Sequence, residues 1–397
     1  MKKRVLFVVN SGKISPNNNG GASVYYSHLE LIYTAGYDVV LLIIEWPNGA
    51  LYRSEDYEEI EHFVDAIIPI KTISITPKKG FKRLWNALFY PEKFEYFFLN
   101  TSNVAQLKAI CKAQRIDVVW TEWRWAALLA CFAKLKLPVI YAHHDWEYKL
   151  AKLRSKKNIL GQFHTFQKKR VEFKLVKRVT KCVSGSYTEA KEIEKISGNS
   201  AVYMPTTYDA ITQKLEPNEI PNIVHLGGMG TTANRLGLER FLDVCWQDIK
   251  EKHPEIKLVV IGSLEQASAA LLGKLDDSAI CCLGFVKDLT HVMCPKDIHI
   301  IPWEYNTGTR TRLPLVLNYE QVLVATRASV EALPEIKHGE NALLCENLEE
   351  MQEVISKLML NRSEINILST AAKKTFFNTF TVPSQLEKIK TLIETIT

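Results

Sequence analysis

The chain has 397 residues, 47% of them apolar and 24% charged, with a net charge of +6. That length exceeds what one hydrophobic core organises, and the composition is that of a globular protein rather than a disordered or fibrous one. No apolar run reaches the ~18 residues of a membrane-spanning helix. The eight cysteines form neither a C-x-x-C pair nor a zinc-spaced cluster with histidine, so the expectation is a cytoplasmic protein with buried thiols and no metal site.

In chain order, Met1–Asn10 places basic residues before an apolar run, as a signal sequence does. The run stops at Asn10, so Val5–Val9 reads as a first buried strand. The Asn17–Gly21 loop leads into a helix over Ala22–Ala35, with Tyr25, Leu29 and Ile32 on one buried face. Val39–Ile44 is apolar throughout, the pattern of a parallel strand covered on both sides. Lys71–Phe98 interleaves Lys78, Lys79, Lys82 and Arg83 with Phe81, Trp85, Phe89 and Tyr90, a composition suited to an interfacial patch that binds lipid headgroups. Val118–Trp120 and Val139–Ala142 are further parallel strands. Lys149–Lys181, with its dozen Lys and Arg, reads as one long helix with a solvated basic face. Val183–Ser186 ends the first sheet, and Pro205, Pro217 and Pro221 mark a linker. The second half restarts the alternation, with strands over Ile223–Leu226, Leu258–Ile261, Ile280–Leu283, Ile298–Ile301 and Val322–Ala325. Helices are expected over Leu238–Lys250 and Leu348–Leu360.

Strand–helix alternation in both halves predicts an α/β protein of two Rossmann-like, doubly wound domains facing each other across a cleft. The expected boundaries are a first domain over 1–205, a linker over 206–221, a second domain over 222–375, and a C-terminal helix over 376–397 packing back toward the first domain. Charge divides likewise. Residues 1–216 carry 32 Lys and Arg against 21 Asp and Glu, and residues 217–397 carry 18 against 23. A basic first half suits an anionic membrane surface. No nucleic-acid recognition motif accompanies it, so no nucleic-acid partner is expected.

Two loops in the second half carry chemistry. Pro302–Arg312 reads P-W-E-Y-N-T-G-T-R-T-R after the Ile298–Ile301 strand. A strand that turns through small residues into a helix start exposes backbone N–H groups to an anion, and Arg310 and Arg312 add fixed charge with paired donors. Upstream, Gly227-Gly228-Met229-Gly230 follows the Ile223–Leu226 strand, where glycine lets backbone approach a phosphate or sugar. Together they predict a cradle for the diphosphate of a nucleotide-activated substrate.

With both loops in view, the sequence resembles the GT-B fold glycosyltransferases of the glycosyltransferase 4 type (glycosyl transferases group 1). The family's G-S-M…N loop resembles Gly227-Gly228-Met229…Asn234, and its V-I-G strand end resembles Val260-Ile261-Gly262. Its G-x-V-x-D-L block resembles Gly284-Phe285-Val286-Lys287-Asp288-Leu289, and its P…G-T-G-x-R-x-K block resembles Pro302…Asn306-Thr307-Gly308-Thr309-Arg310-Thr311-Arg312. In the first half, Tyr141–Tyr148 looks like R-x-H-N-x-E-Y, and Gly20-Gly21 like an acceptor-side glycine loop.

The resemblance implies donor contacts at Gly227, Gly228, Met229, Asn234, Gly262, Phe285, Val286, Gly308 and Thr309. It implies an acceptor side at Gly20, Gly21, Asp145 and Glu147, and catalytic roles for Arg310, Arg312 and His144, with His144 near the transferred sugar. Glu122, at the end of the Trp120 strand, is an expected ligand of acceptor hydroxyls. The family's lysine is Arg312 here, its G-K-P is Glu320-Gln321-Val322, and its ribose-gripping glutamate is Leu315, with Asn318 and Glu320 as nearby polar groups and Glu304, before the turn, as an expected donor contact. The implied reaction is sugar transfer from a nucleotide-diphosphate donor to a saccharide or lipid-linked acceptor, hexosyltransferase-like, with retention and without metal or cofactor. Cell-surface polysaccharide or glycoconjugate synthesis is the expected setting, with peripheral contact at the inner face of an anionic membrane. A same-fold epimerase or phosphorylase, and a catalytically impaired nucleotide-sugar binder, stay open as alternatives.

Overall fold

Val- and Ile-rich runs form the strands, because β-branched residues pack well on a sheet covered by helices on both faces. The computed structural model describes residues 2–46, 49–74, 80–154, 158–306 and 310–397, the side chains of 153 and 154 excepted. The chain divides into two units, Met1–Pro205 with Gln385–Thr397, and Thr206–Ser384.

The first unit holds seven parallel strands: β1 (Arg4–Asn10), β2 (Asp38–Glu45), β3 (Ala66–Lys71), β4 (Val118–Glu122), β5 (Val139–His143), β6 (Lys181–Ser184) and β7 (Ala201–Tyr203). Their order is β3-β2-β1-β4-β5-β6-β7. Val5 pairs with Val39 on one side and Val118 on the other, so the switch point lies between β1 and β4. The loop before Gly20, the end of β4 at Glu122 and the end of β5 at His143 therefore gather at the carboxyl edge. In this unit two strands, β3 and β7, escape the sequence reading. Pro69 interrupts the first, and the second has only three half-buried residues. The basic stretch expected as one helix is two, Glu147–Arg154 and Ile159–Val176. Asn158 caps the second, accepting from the Gly161 N–H at 2.8 Å.

The second unit repeats the plan with β8 (Ile223–Leu226), β9 (Leu258–Ile261), β10 (Ile280–Gly284), β11 (Ile298–Ile301), β12 (Val322–Thr326) and β13 (Ala342–Cys345), ordered β10-β9-β8-β11-β12-β13. Its switch point lies between β8 and β11, and the glycine loop and the Pro302–Thr311 loop leave these two strands side by side. Ile223, Leu258, Ile298 and Val322 are fully buried in its core.

Residues 206–221, expected as a linker, are part of the second unit. Ile211 donates its N–H to Asn318 Oδ1 at 3.1 Å, and Asn318 Nδ2 donates to Asp209 O at 2.8 Å. Asn218 Nδ2 lies 3.0 and 3.1 Å from the two oxygens of Asp297. The helix Val382–Glu394 starts in the second unit, but from Gln385 it belongs to the first. There Ile389, Leu392 and Ile393 are buried, and Lys388 Nζ donates to Tyr203 O at 3.1 Å.

Candidate functional site

In the second unit the glycine positions are fixed by close approach of backbone. Gly227 has φ +146° and Gly262 φ +138°, in the region that favours glycine. A Cβ on Gly262 would stand 2.5 Å from the Gly227 carbonyl carbon and 2.6 Å from the Gly228 nitrogen. A Cβ on Gly227 would run into the Arg312 guanidinium and the Asn234 amide. Asn234 is the hinge of this cluster: its Nδ2 donates to Gly228 O at 2.9 Å, and its Oδ1 accepts from Arg312 Nη2. Met229 takes a different part from the one expected. Its side chain is fully buried in the core, and its N–H donates to Ser263 O at 2.8 Å, so it anchors the loop from behind instead of touching a ligand.

Arg312 opens the helix Arg312–Asn318 and is half-buried. Among the described residues no carboxylate lies within ion-pair distance of it. Burial and the neighbouring Arg310 push its pKa down to about 9, which leaves it charged at neutral pH. Behind it sit two buried imidazoles that sequence reasoning missed, His225 on β8 and His299 on β11. Burial lowers both, with Arg312 contributing; His299 falls to about 3 and His225 lies well below its ordinary value, so both are neutral. His299 Nδ1 stands 2.9 Å from Gln321 Oε1. The signal for them was a polar residue in each of two apolar strands, I-V-H-L and I-H-I-I, which does not reveal what the imidazole faces. The result is a partly buried cation with no ion-paired carboxylate among the described residues, an arrangement that an anion would complete.

Arg310 is held from the other side: its Nε donates to Ser329 O at 3.1 Å and its Nη2 to Tyr305 O at 3.4 Å. Gly308 and Thr309 lie outside the described residues. Glu304 is engaged by Arg240 at 2.7 Å, which commits its carboxylate. Phe285 is exposed, and Val286 packs against the cluster of Val224, Leu226 and Ile261. Of the polar groups near Leu315, Asn318 is buried and bonded to the 206–221 segment. Glu320 has φ +56°, with Lys373 at 3.9 Å. Glu331 is exposed and accepts from Asn306 Nδ2 at 2.6 Å.

In the first unit, Gly20 and Gly21 open the helix Gly20–Thr34, where Asn19 accepts from the N–H groups of Gly21 and Ala22, both at 3.1 Å. Eight residues on, His28 points its Nδ1 at Glu122 Oε1 at 2.8 Å. His144 Nε2 stands 2.7 Å from Glu122 Oε2, and Trp120 Nε1 donates to Oε1 at 2.8 Å. Glu122 is fully buried. Burial alone would raise its pKa, but His28 and His144 outweigh it and bring it down to about 2. The acceptor-binding role expected for Glu122 is therefore corrected: both oxygens are taken and no surface is left for a sugar. His144 is stacked by Trp123, ring centroids 5.5 Å apart at 14°, and met edge-on by Tyr25 at 5.5 Å. His143 faces away from this group, with Nδ1 3.3 Å from Glu189 Oε2. Asp145 is half-buried. Glu147 is paired with the buried Arg124 and with Lys168 at 3.3 Å, so its carboxylate is committed within the unit.

Residues 220–361 match the family described as Glycosyl transferases group 1. Over the whole chain, solved structures share the fold at low identity. A glycosyltransferase from Rickettsia africae ESF-5 has a TM-score of 0.64 at 18% identity, covering 100% of this chain and 98% of that one. Anabaena HepE in complex with UDP and glucose has 0.69 at 13%, covering 99% and 100%. TarM has 0.73 at 11%, covering 99% of each. None of the curated proteins matches the sequence. The chain has the GT-B fold, and residues 220–361 of its second unit carry the Glycosyl transferases group 1 domain.

Proposed function

We propose that the protein transfers a sugar from a nucleoside diphosphate donor to a saccharide or lipid-linked acceptor, with retention at the anomeric carbon. The observation that carries this reading is the half-buried Arg312, held by Asn234 over Gly227 and backed by neutral histidines. A diphosphate supplies the negative charge that Arg312 does not find among the described residues. In the reaction the bond from the anomeric carbon to the diphosphate oxygen breaks, and its electron pair leaves with the diphosphate. The acceptor oxygen bonds to that carbon and gives up its proton to the departing diphosphate. Arg310 and Arg312 stabilise the departing negative charge, the kind of contribution that removal of one donor puts at ~3 kcal/mol. Gly227, Gly228, Gly262 and Asn234 shape the donor loop, and His144 and the Gly20–Gly21 turn serve the acceptor unit.

The donor to test first is a uridine diphosphate sugar, because the HepE structure contains UDP and glucose. Thermal unfolding with a panel of nucleotide sugars tests the reading, since a bound ligand raises the melting temperature by mass action. The expected result is a shift with one nucleotide diphosphate, its sugar form included. No shift with any of them at millimolar concentration overturns the reading. A new sugar isomer from donor alone supports the epimerase instead, and binding without transfer or hydrolysis supports the impaired binder.

The setting we propose is synthesis of a cell-surface glycan at an anionic membrane. Phe81, Leu84, Trp85, Leu88 and Phe89 of the helix Phe81–Phe89 are all exposed, and Arg170 Nη1 from the neighbouring helix donates to Ala87 O at 3.1 Å. Lys82 and Arg83 lie on the same helix, while Lys78 and Lys79 lie outside the described residues. Binding to anionic vesicles that weakens with salt is expected; binding indifferent to salt, or absent at low salt, refutes it.

A further inference from the structure

We propose that Glu122 is a positioning residue: it holds His144 by Nε2, so that the opposite ring edge, bearing Nδ1, is presented to a hydroxyl of the sugar substrate. The nature of that substrate rests on the transferase reading above; the positioning does not.

An ionised carboxylate only accepts hydrogen bonds, so every nitrogen that faces Glu122 must bring a proton. The Trp120 indole does so by its chemistry. His28 at 2.8 Å and His144 at 2.7 Å must do so by choice of tautomer. For His144 this places the proton on Nε2 and makes Nδ1 the acceptor of the neutral ring. Three nitrogens converge on this buried carboxylate, and the hydrogen bonds from the two histidines favour its ionised form. Orientation of a functional imidazole by a buried carboxylate on its far nitrogen is a general device for fixing ring and tautomer together.

Two observations separate this from a plain structural staple. Trp123, directly after Glu122, has φ +67°, a conformation that costs a bulky L-residue on the order of 1–2 kcal/mol. The strained backbone lays its indole flat against the His144 ring. Tyr25, from the helix that also carries His28, meets the His144 ring at 87°, with centroids 5.5 Å apart. A staple between that helix and β4 needs His28 alone, and neither the second histidine nor the strained indole would be required.

Nitrogen-resolved NMR of histidine-labelled protein tests the tautomer directly, with the His144 signals assigned by their loss in His144→Gln. The expected result is protonated Nε2 and unprotonated Nδ1 in the neutral ring. Protonation at Nδ1, or a mixture of tautomers, overturns the proposal whatever the enzyme's activity. In Glu122→Gln we expect mixed tautomers and a kcat lower by about 10- to 100-fold, with donor KM little changed. His143→Gln, which alters the adjacent imidazole paired with Glu189, should keep wild-type kcat. Wild-type kcat in Glu122→Gln overturns the proposal, and so does an equal loss in His143→Gln. If Glu122→Gln does not fold, the wild-type tautomer and the His143→Gln kinetics decide. If the wild-type protein transfers no sugar from any donor, the tautomer still settles the positioning, and only the transferase reading falls.

Discussion

Arg312 donates to the side-chain carbonyl of Asn234, and a Cβ on Gly227 would stand where the two meet. These residues lie on the first helix after β8, on the helix after β11, and on the loop between β8 and its helix. Their meeting depends on β8 and β11 being neighbours at the switch point.

Gly227→Ala should disturb that contact from the glycine side. The substitution meets a guanidinium and an amide, at a φ of +146° that alanine rarely adopts. Overpacking and backbone strain of this kind cost about 1–3 kcal/mol. We expect a lower melting temperature and at least a tenfold weaker affinity for nucleoside diphosphate, measured by calorimetry. Unchanged affinity would detach the loop from the donor site.

Arg310→Ala should lower turnover at least a hundredfold with the fold intact, as expected for a donor that stabilises leaving-group charge. Two of its hydrogen bonds go to backbone carbonyls, Ser329 O and Tyr305 O. Near-normal transfer with an unchanged circular dichroism spectrum would remove the diphosphate role.

Glu320→Gly should stabilise the second unit. Glu320 sits just past the end of the helix Arg312–Asn318 at φ +56°. Its N–H donates to Leu317 O at 3.1 Å and that of Gln321 to Val316 O at 3.2 Å, the two bonds of a left-handed helix terminus where glycine is preferred. Relief of the left-handed strain is worth about 1 kcal/mol, or roughly 2–4 °C in a unit of this size. The Lys373 contact that is lost is long, at 3.9 Å. A fall in melting temperature would show that this ion pair outweighs the strain.

Glu172 should give the first unit a pH-dependent stability. Its oxygens accept the N–H groups of Glu147 at 2.8 Å and Tyr148 at 3.0 Å, at the start of the helix Glu147–Arg154. Burial still raises its pKa from 4.5 to about 7. A carboxyl raised on folding contributes stability that is complete below pH 4.5 and is lost as pH rises through about 7. The size is on the order of 3 kcal/mol. Urea unfolding at pH 5 and pH 7.5 should show a larger fall for wild type than for Glu172→Gln. Equal falls would place the titration elsewhere. Glu122, lowered to about 2, acts in the opposite sense and outside this window, losing its contribution only as pH falls below 4.5.

Much of this molecule was legible in one dimension. Strands Ile223–Leu226, Leu258–Ile261 and Ile298–Ile301 have the bounds that their apolar runs predict, because a covered parallel strand needs little beyond uninterrupted β-branched residues. The same rule misses β7, which is short and half-buried, and β3, where proline breaks the pattern. The loop glycines were legible too, since only glycine tolerates φ near +140° with a neighbouring backbone at 2.5 Å.

What a residue does once the chain folds was not legible. Glu122 looked like a ligand of acceptor hydroxyls and is buried between His28 and His144, separated from it by 94 and 22 positions. Met229 looked like a ligand contact and is core. Glu304 and Glu147 are committed to Arg240 and Arg124. Local pattern determines which segments become strands and where backbone must turn, because those choices are made within a few residues. Partners, burial and charge state are decided only when β1 meets β4 and β8 meets β11, because electrostatic neighbours and desolvation belong to tertiary contacts.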